Sequence, residues 1–227
     1  MSLPGSASKP RPIRPIVVGI AGGIGSGKST VARLLAARGA VISDSDDQAK
    51  ALLLEPAIGH ILARWWGKGV LGPDGLPDRA KVASIIFADP AQRQRLEGLI
   101  HPILKSQRAS ALRIAARAVP AVPMFVIDAP LLFEAGIDKE CDATLYVDAP
   151  RAARLARLIK NRGWTEPDLT RREAAQLPLS TKQARSTFVI DNAPAGAADG
   201  AGDAASHLSL QIDGLWPRLL ARRSLRA

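Results

Sequence analysis

Five short runs along the chain are almost unbroken in apolar residues, at 16–21, 40–43, 124–128, 144–148 and 187–191. Runs of this length without polar alternation predict strands buried on both faces, as in a parallel sheet covered by helices. Between them the apolar spacing changes to a helical one. Alternation of the two patterns predicts an α/β fold with a five-stranded parallel sheet flanked by helices. Several runs end in Ser or Asp. In open sheets of this kind, ligands bind beyond the carboxyl ends of the strands. Topology alone therefore draws Asp44, Asp46, Asp128, Asp148 and Asp191 toward one edge.

The segment between the second and third runs is too long for a simple crossover. It carries helical patterns over 47–54, 57–66, 79–87 and 90–118. Turn signals at Gly67-Lys68-Gly69, Gly72-Pro73-Asp74-Gly75 and Asp89-Pro90 separate them. This predicts a helical sub-domain, 47–119, inserted into a core made of 15–46 and 120–227. Trp65 and Trp66 are adjacent on one of these helices and point to different faces, which favours packing over ligand stacking for both. Residues 151–185 are rich in Arg and Glu, with helical character broken at Gly163 and Pro178. A basic hairpin over a phosphate site reads this way, and so does an ordinary amphipathic pair. The Ala-, Gly- and Asp-rich stretch 193–205 reads as a linker. A last helix over 208–220 is expected to be interrupted by Pro217.

Composition narrows the partners. The 227 residues are 47% hydrophobic, enough for one domain core. A single cysteine, Cys141, excludes an internal disulfide and suits a reducing, cytoplasmic setting, where it reads as a packed small residue near a strand. No apolar run reaches about 18 residues, so no membrane association is expected. Residues 1–14 have no apolar stretch and are expected to be a disordered basic tail. The net charge of +10 admits nucleic acid, an anionic surface or an anionic small substrate. Basic clusters at 151–162 and 171–185 suit a polyphosphate. One Tyr and four Phe leave little for base stacking, so no nucleic-acid partner is expected.

The chemistry starts at Gly22-Gly23-Ile24-Gly25-Ser26-Gly27-Lys28-Ser29, which fits G-x-x-x-x-G-K-[ST] between a strand pattern and a helix pattern. Its glycines let the backbone curl so that amides from Gly23 to Thr30 point at phosphate oxygens, and the helix adds its positive end. Lys28 reaches the β- and γ-phosphates, and Ser29 takes a magnesium ion. ATP and Mg²⁺ are thus expected. Neither N-K-x-D nor L-S-G-G-Q occurs. The third strand ends in Asp128, as a magnesium-water ligand requires, but Ala129 stands where hydrolases commonly carry a water-activating Glu. A small-molecule kinase remains. Its acceptor carboxylate is sought in Ser43-Asp44-Ser45-Asp46. In extended backbone Asp44 and Asp46 point the same way, toward the γ-phosphate. The competing reading is that Asp46 caps a helix starting at Asp47.

The ordered set of the glycine loop, Asp44 with Asp46, His101-Pro102, Pro130-Leu131-Leu132-Phe133-Glu134 and Phe188-Val189-Ile190-Asp191-Asn192 resembles the dephospho-CoA kinase family, over about 16–192. Ala21 stands where that family commonly has Thr. The resemblance implies phosphorylation of the ribose 3′-hydroxyl of dephospho-CoA by ATP. It also implies a P-loop kinase core, an inserted helical acceptor domain and a helical lid over about 157–185. Arg157 and Arg162 resemble the family's two lid arginines, with one residue more between them than in the family pattern. Asn192 is implied near the adenine. Leu131, Leu132 and Glu134 are implied on the acceptor side. His101 lies within a helical region and reads as a structural or acceptor-positioning residue rather than a proton shuttle. A monomer or weak homo-oligomer is expected. The rival readings are another nucleoside or nucleotide kinase of the same core and an ATP-regulated nucleic-acid-binding protein.

Overall fold

The computed structural model describes residues 14–193 and 204–225. The basic tail expected over 1–14 falls, but for Arg14, outside them, as does most of the expected linker. The elements, in order, are β1 (Ile16–Gly22), α1 (Lys28–Ala36), β2 (Val41–Asp44), α2 (Ser45–Leu53), α3 (Pro56–Trp66), α4 (Arg79–Ala88), α5 (Pro90–Ala115), β3 (Met124–Asp128), β4 (Ala143–Asp148), α6 (Arg151–Arg162), α7 (Glu166–Ala174), α8 (Leu179–Arg185), β5 (Phe188–Asp191) and α9 (Ala204–Ala221). All strand pairs are parallel and the spatial order is β2-β3-β1-β4-β5.

Alternation along β1 sorts the core into two layers. Ile16, Val18 and Ile20 face α1 and α9, against Val31, Leu35, Leu208, Ile212 and Leu219. Val17 and Ala21 face the other way, toward Ala115 at the end of α5 and toward Leu132, Phe133 and Cys141. β1 therefore sits at the centre, covered on both faces, which is why its residues read as continuously apolar. The chain leaves β1 toward β2, on one side, and leaves β3 toward β4, on the other. A crevice opens beyond β1 and β3 where these directions diverge.

Helices α2 to α5 lie between β2 and β3 in sequence and build a core of their own around Leu52, Ile58, Leu62, Val82, Leu96 and Ile100. Trp65 and Trp66 pack on this cluster, edge to face at 5.9 Å, with the Trp66 indole donating to Gln92 Oε1 at 2.7 Å. Neither lines the large cleft described below.

One proline behaves otherwise than expected: Pro217 lies inside α9 without ending it. Pro102 lies in the middle of the 26-residue α5, within the helical pattern read over 90–118. An interior proline costs a helix about 3 kcal/mol. Burial of Ile100 and Leu104 on α5, and of Leu219 on α9, keeps both helices continuous.

Gly19, at the middle of β1, pairs with Ile127 and Thr144. A Cβ there would meet Cys141 Sγ at 2.8 Å and the Leu132 methyls at 2.9 Å. Gly19→Ala is expected to destabilise the fold by about 1–3 kcal/mol through overpacking, read by urea unfolding.

Candidate functional site

The chain turns at the end of β1 into the loop 23–27 and enters α1 at Lys28. Gly27 is left-handed, with φ 98°, and a Cβ on it would fall 2.2 Å from Asn192 Nδ2. Both the turn and the close approach require glycine. Among the described residues the amides of Gly25, Gly27, Lys28 and Ser29 have no protein acceptor. Consecutive free N–H groups at the start of a helix form an anion site.

The loop carbonyls are accounted for in turn by side chains. Lys28 Nζ donates to Gly22 O at 3.2 Å and Gly23 O at 3.1 Å. Arg154 Nη1 donates to Ile24 O at 3.2 Å. Arg157 Nη1 donates to Gly25 O at 3.3 Å and Ser26 O at 3.2 Å, and its Nη2 to Asn192 O at 2.8 Å. Asn192 Nδ2 completes the set with Ser26 O at 2.6 Å.

A cleft of about 990 Å³ opens in front of the loop. Lys28, Ser29 and Thr30 line one end, Leu96, Ile100 and His101 of the helical insertion line the other, and Asp44, Asp46 and Asp128 lie at the junction. The fold draws Asp44 and Asp128 together directly, because they are register partners at the ends of β2 and β3.

The geometry of the Asp pair differs from the expected one. Helix α2 starts at Ser45, and it is Asp44, not Asp46, that caps it, accepting from Asp47 N at 3.0 Å. Asp46 stands in the first helical turn. The two carboxylates reach the cleft because helix and strand meet there, not because the backbone is extended through both.

Charge in the cleft is mutually adjusted. Burial lowers Lys28 to a pKa of about 8, against the raising effect of Asp128. Burial lifts Asp128 to about 6, with Lys28 opposing and the charges of Asp44 and Asp46 adding to the lift. Asp46 is also raised, by burial and then by Asp44.

Other expected residues are placed as follows. Leu131 and His101 line the cleft. Leu132 does not: it is 1% exposed and packs beneath β1. Glu134 turns from the cleft to Lys182 Nζ, at 2.7 Å, and accepts from Leu177 N at 2.9 Å, so it braces the segment before α8. Asn192 is buried under the loop rather than on the cleft wall. Asp191 turns to Ala193 N, at 2.8 Å. The basic segment 151–185 forms three helices instead of two. Arg162 and Arg172 lie over the Trp164 ring, at 5.3 and 4.4 Å, and all three line the cleft. Cys141 is buried and its thiol is pushed up to about 12, which makes it an inert packing residue.

Sequence reading missed Arg154, Glu173 and Lys182. One signal was available for the first two. Arg154 stands four residues before the buried Leu158, and Glu173 four after the buried Leu169, so both charges occupy faces that the spacing reserves for core.

Carboxylates beside a phosphate loop, without a water-activating Glu after Asp128, suit transfer to an alcohol rather than hydrolysis. In class, the fold and site are those of a P-loop kinase. The family model for dephospho-CoA kinase matches residues 16–197. A dephospho-CoA kinase of Anaeromyxobacter dehalogenans is 42% identical over 182 residues, covering 79% of this chain and 84% of that one. One from Deinococcus radiodurans is 42% identical over 195 residues, covering 86% and 92%. A crystal structure from Thermus thermophilus superposes with a TM-score of 0.74 at 31% identity, covering 90% of this chain and 98% of that one. The chain belongs to the dephospho-CoA kinase family. As a kinase of that family it is a phosphotransferase that uses ATP.

The raised Asp128 predicts a pH dependence of stability. In the fold it keeps its proton up to about pH 6, and in the unfolded chain only to 3.8. Between those values the fold binds more protons, so this group's contribution is present below the window and is lost as pH rises through 6. Asp128→Asn is expected to remove a loss on the order of 2 kcal/mol. Urea titrations of the nucleotide-free, chelator-treated protein at successive pH values across that window would show a flatter profile for the variant.

Proposed function

We propose that this chain transfers the γ-phosphate of ATP to the ribose 3′-hydroxyl of dephospho-CoA, giving coenzyme A and ADP, the last step of coenzyme A synthesis. The observation that carries the reading is the single cleft joining the phosphate loop to the helical insertion, with Asp44 and Asp46 at the junction. The free amides of Gly25, Gly27, Lys28 and Ser29, with the Lys28 ammonium, hold the triphosphate. The insertion, with His101 and Leu131, takes the acceptor. Asp46 or Asp44 orients the 3′-hydroxyl and accepts its proton as the oxygen attacks the γ-phosphorus and the bond to the ADP oxygen breaks. The upward shift of Asp46, from burial and the neighbouring Asp44 charge, suits a proton acceptor. Arg157, from behind the loop, and Arg162, from the hairpin, supply positive charge to the group in flight.

Magnesium belongs to this reading as the companion of ATP. Among the described residues no cluster of three or more His, Cys, Asp or Glu forms a cation cage. The exposed Ser29 hydroxyl and the Asp128 carboxylate in one cleft fit an ion that keeps most of its waters and arrives on phosphate. Bound there, it neutralises phosphate charge. The hairpin of α6 and α7 excludes water, which would otherwise consume ATP. Action as a monomer or weak homo-oligomer in the cytoplasm, without nucleic acid, belongs to the same reading. No helix among the described residues is long and apolar enough to cross a membrane.

A coupled assay tests the reading. With ATP and Mg²⁺, ADP release is expected with dephospho-CoA and not with adenosine, AMP or DNA. Folded, ATP-binding protein that is inactive on dephospho-CoA would contradict it. Asp46→Asn is expected to lower kcat by about 10²–10⁴-fold with KM for ATP little changed, and Asp44→Asn to lower it less. Equal turnover in both variants and the wild type would remove the carboxylate from the mechanism.

A further inference from the structure

Binding of phosphate by the loop amides leaves the loop carbonyls to be satisfied from behind. Lys28, Arg157 and Asn192 serve all of those from Gly22 to Ser26 except one. Ile24 O has a single donor among the described residues, Arg154 Nη1.

Arg154 comes from the first turn of α6 and is 3% exposed. Its Nε donates to Ala149 O, in the turn after β4, at 3.2 Å. Its Nη1 also donates to Glu173 Oε1, on α7. The other Glu173 oxygen lies 3.7 Å from Arg151 Nε, and Arg151 in turn donates to Glu166 and, at 2.9 Å, to Thr170 Oγ1. The Arg154 side chain also lies close against the loop: a Cβ on Gly23 would stand 3.0 Å from its Nη1. One buried cation thus touches the phosphate loop, the end of β4 and the second helix of the hairpin.

We propose that Arg154 and Glu173 form a latch that couples the position of the hairpin to the shape of the phosphate loop, making Arg154 a positioning residue for phosphoryl transfer. A buried ion pair is a poor way to gain stability, since apolar residues of similar volume commonly do as well. What it adds is fixed geometry. The planar guanidinium holds three acceptors in one arrangement, which neither an ammonium nor an alkyl chain reproduces. Beyond the latch the same hairpin carries Arg162, Trp164, Arg171 and Arg172 to the cleft. A slip of α7 against the loop therefore displaces the charges meant for the transferred group, and misplacement of about 1 Å costs about 10² in rate.

The test uses the full-length chain, with Glu173→Gln and a double variant, Arg154→Met with Glu173→Leu. Melting temperature, kcat, both KM values and the ATP dissociation constant are measured for each. The latch predicts that Glu173→Gln lowers kcat by about 10- to 100-fold, weakens ATP binding, and leaves KM for dephospho-CoA within about twofold of wild type. It predicts that the double variant regains the melting temperature but not kcat, and this split holds even if the single variant folds poorly. Recovery of melting temperature and kcat together in the double variant would reduce the pair to ordinary packing and overturn the inference. The inference rests on the kinase reading for its turnover arm only. A wild type that binds ATP without phosphorylating dephospho-CoA defeats that reading. ATP affinity then still tests the latch, and a value unchanged in Glu173→Gln defeats it.

Discussion

A peptide loop that binds phosphate with its amides must turn its carbonyls the other way, and a buried carbonyl without a donor costs as much as a lost hydrogen bond. That constraint organises this molecule. Five consecutive carbonyls, from Gly22 to Ser26, are met by Lys28, Arg154, Arg157 and Asn192. These donors arrive from α1, from α6 and from the residue after β5. Helices α1 and α6 and the chain after β5 are therefore each tied to the loop by at least one side chain. The tight approach of Asn192 to Gly27, and of Arg154 to Gly23, explains why the loop is glycine at those places.

In front of the loop the constraint is electrostatic. On the proposed reading Lys28 stays charged enough to attract phosphate although burial favours its neutral form. Asp128 opposes the loss of its proton, while Lys28 opposes the rise of Asp128. Asp44 and Asp46 extend the negative side toward the acceptor end. On the proposed reading the cleft presents cationic and amide groups to a triphosphate and carboxylates to a hydroxyl, with β3 lying between the strands that lead to Asp44 and to the loop. The same sheet order that opens the crevice beyond β1 and β3 sets that arrangement.

Local signals were legible in the sequence. The glycine loop was, because its chemistry is written in backbone geometry over eight residues. The strands were, because burial on both faces leaves near-continuous apolar runs. The start of α2 was misplaced, since Ser43-Asp44-Ser45-Asp46 offers four residues able to cap and only the sheet edge decides which one does. Pro217 misled because packing overrode a local penalty. Leu132 and Glu134 follow the cleft in sequence but turn to the core and to Lys182, a matter of which way a short loop faces. Arg154 and Glu173 meet across 19 residues and a change of helix. A pairing of that kind is fixed by tertiary docking and leaves in the sequence only an odd charge on an apolar face.

A structure of the full-length chain with dephospho-CoA and a non-hydrolysable ATP analogue bound together tests the central claim most directly. The account requires the γ-phosphate on free amides among those of Gly25, Gly27, Lys28 and Ser29 and the ribose 3′-hydroxyl within hydrogen-bond reach of Asp46 or Asp44, in line with the phosphorus. A 3′-hydroxyl held elsewhere, with both carboxylates turned to solvent or to backbone alone, would contradict it.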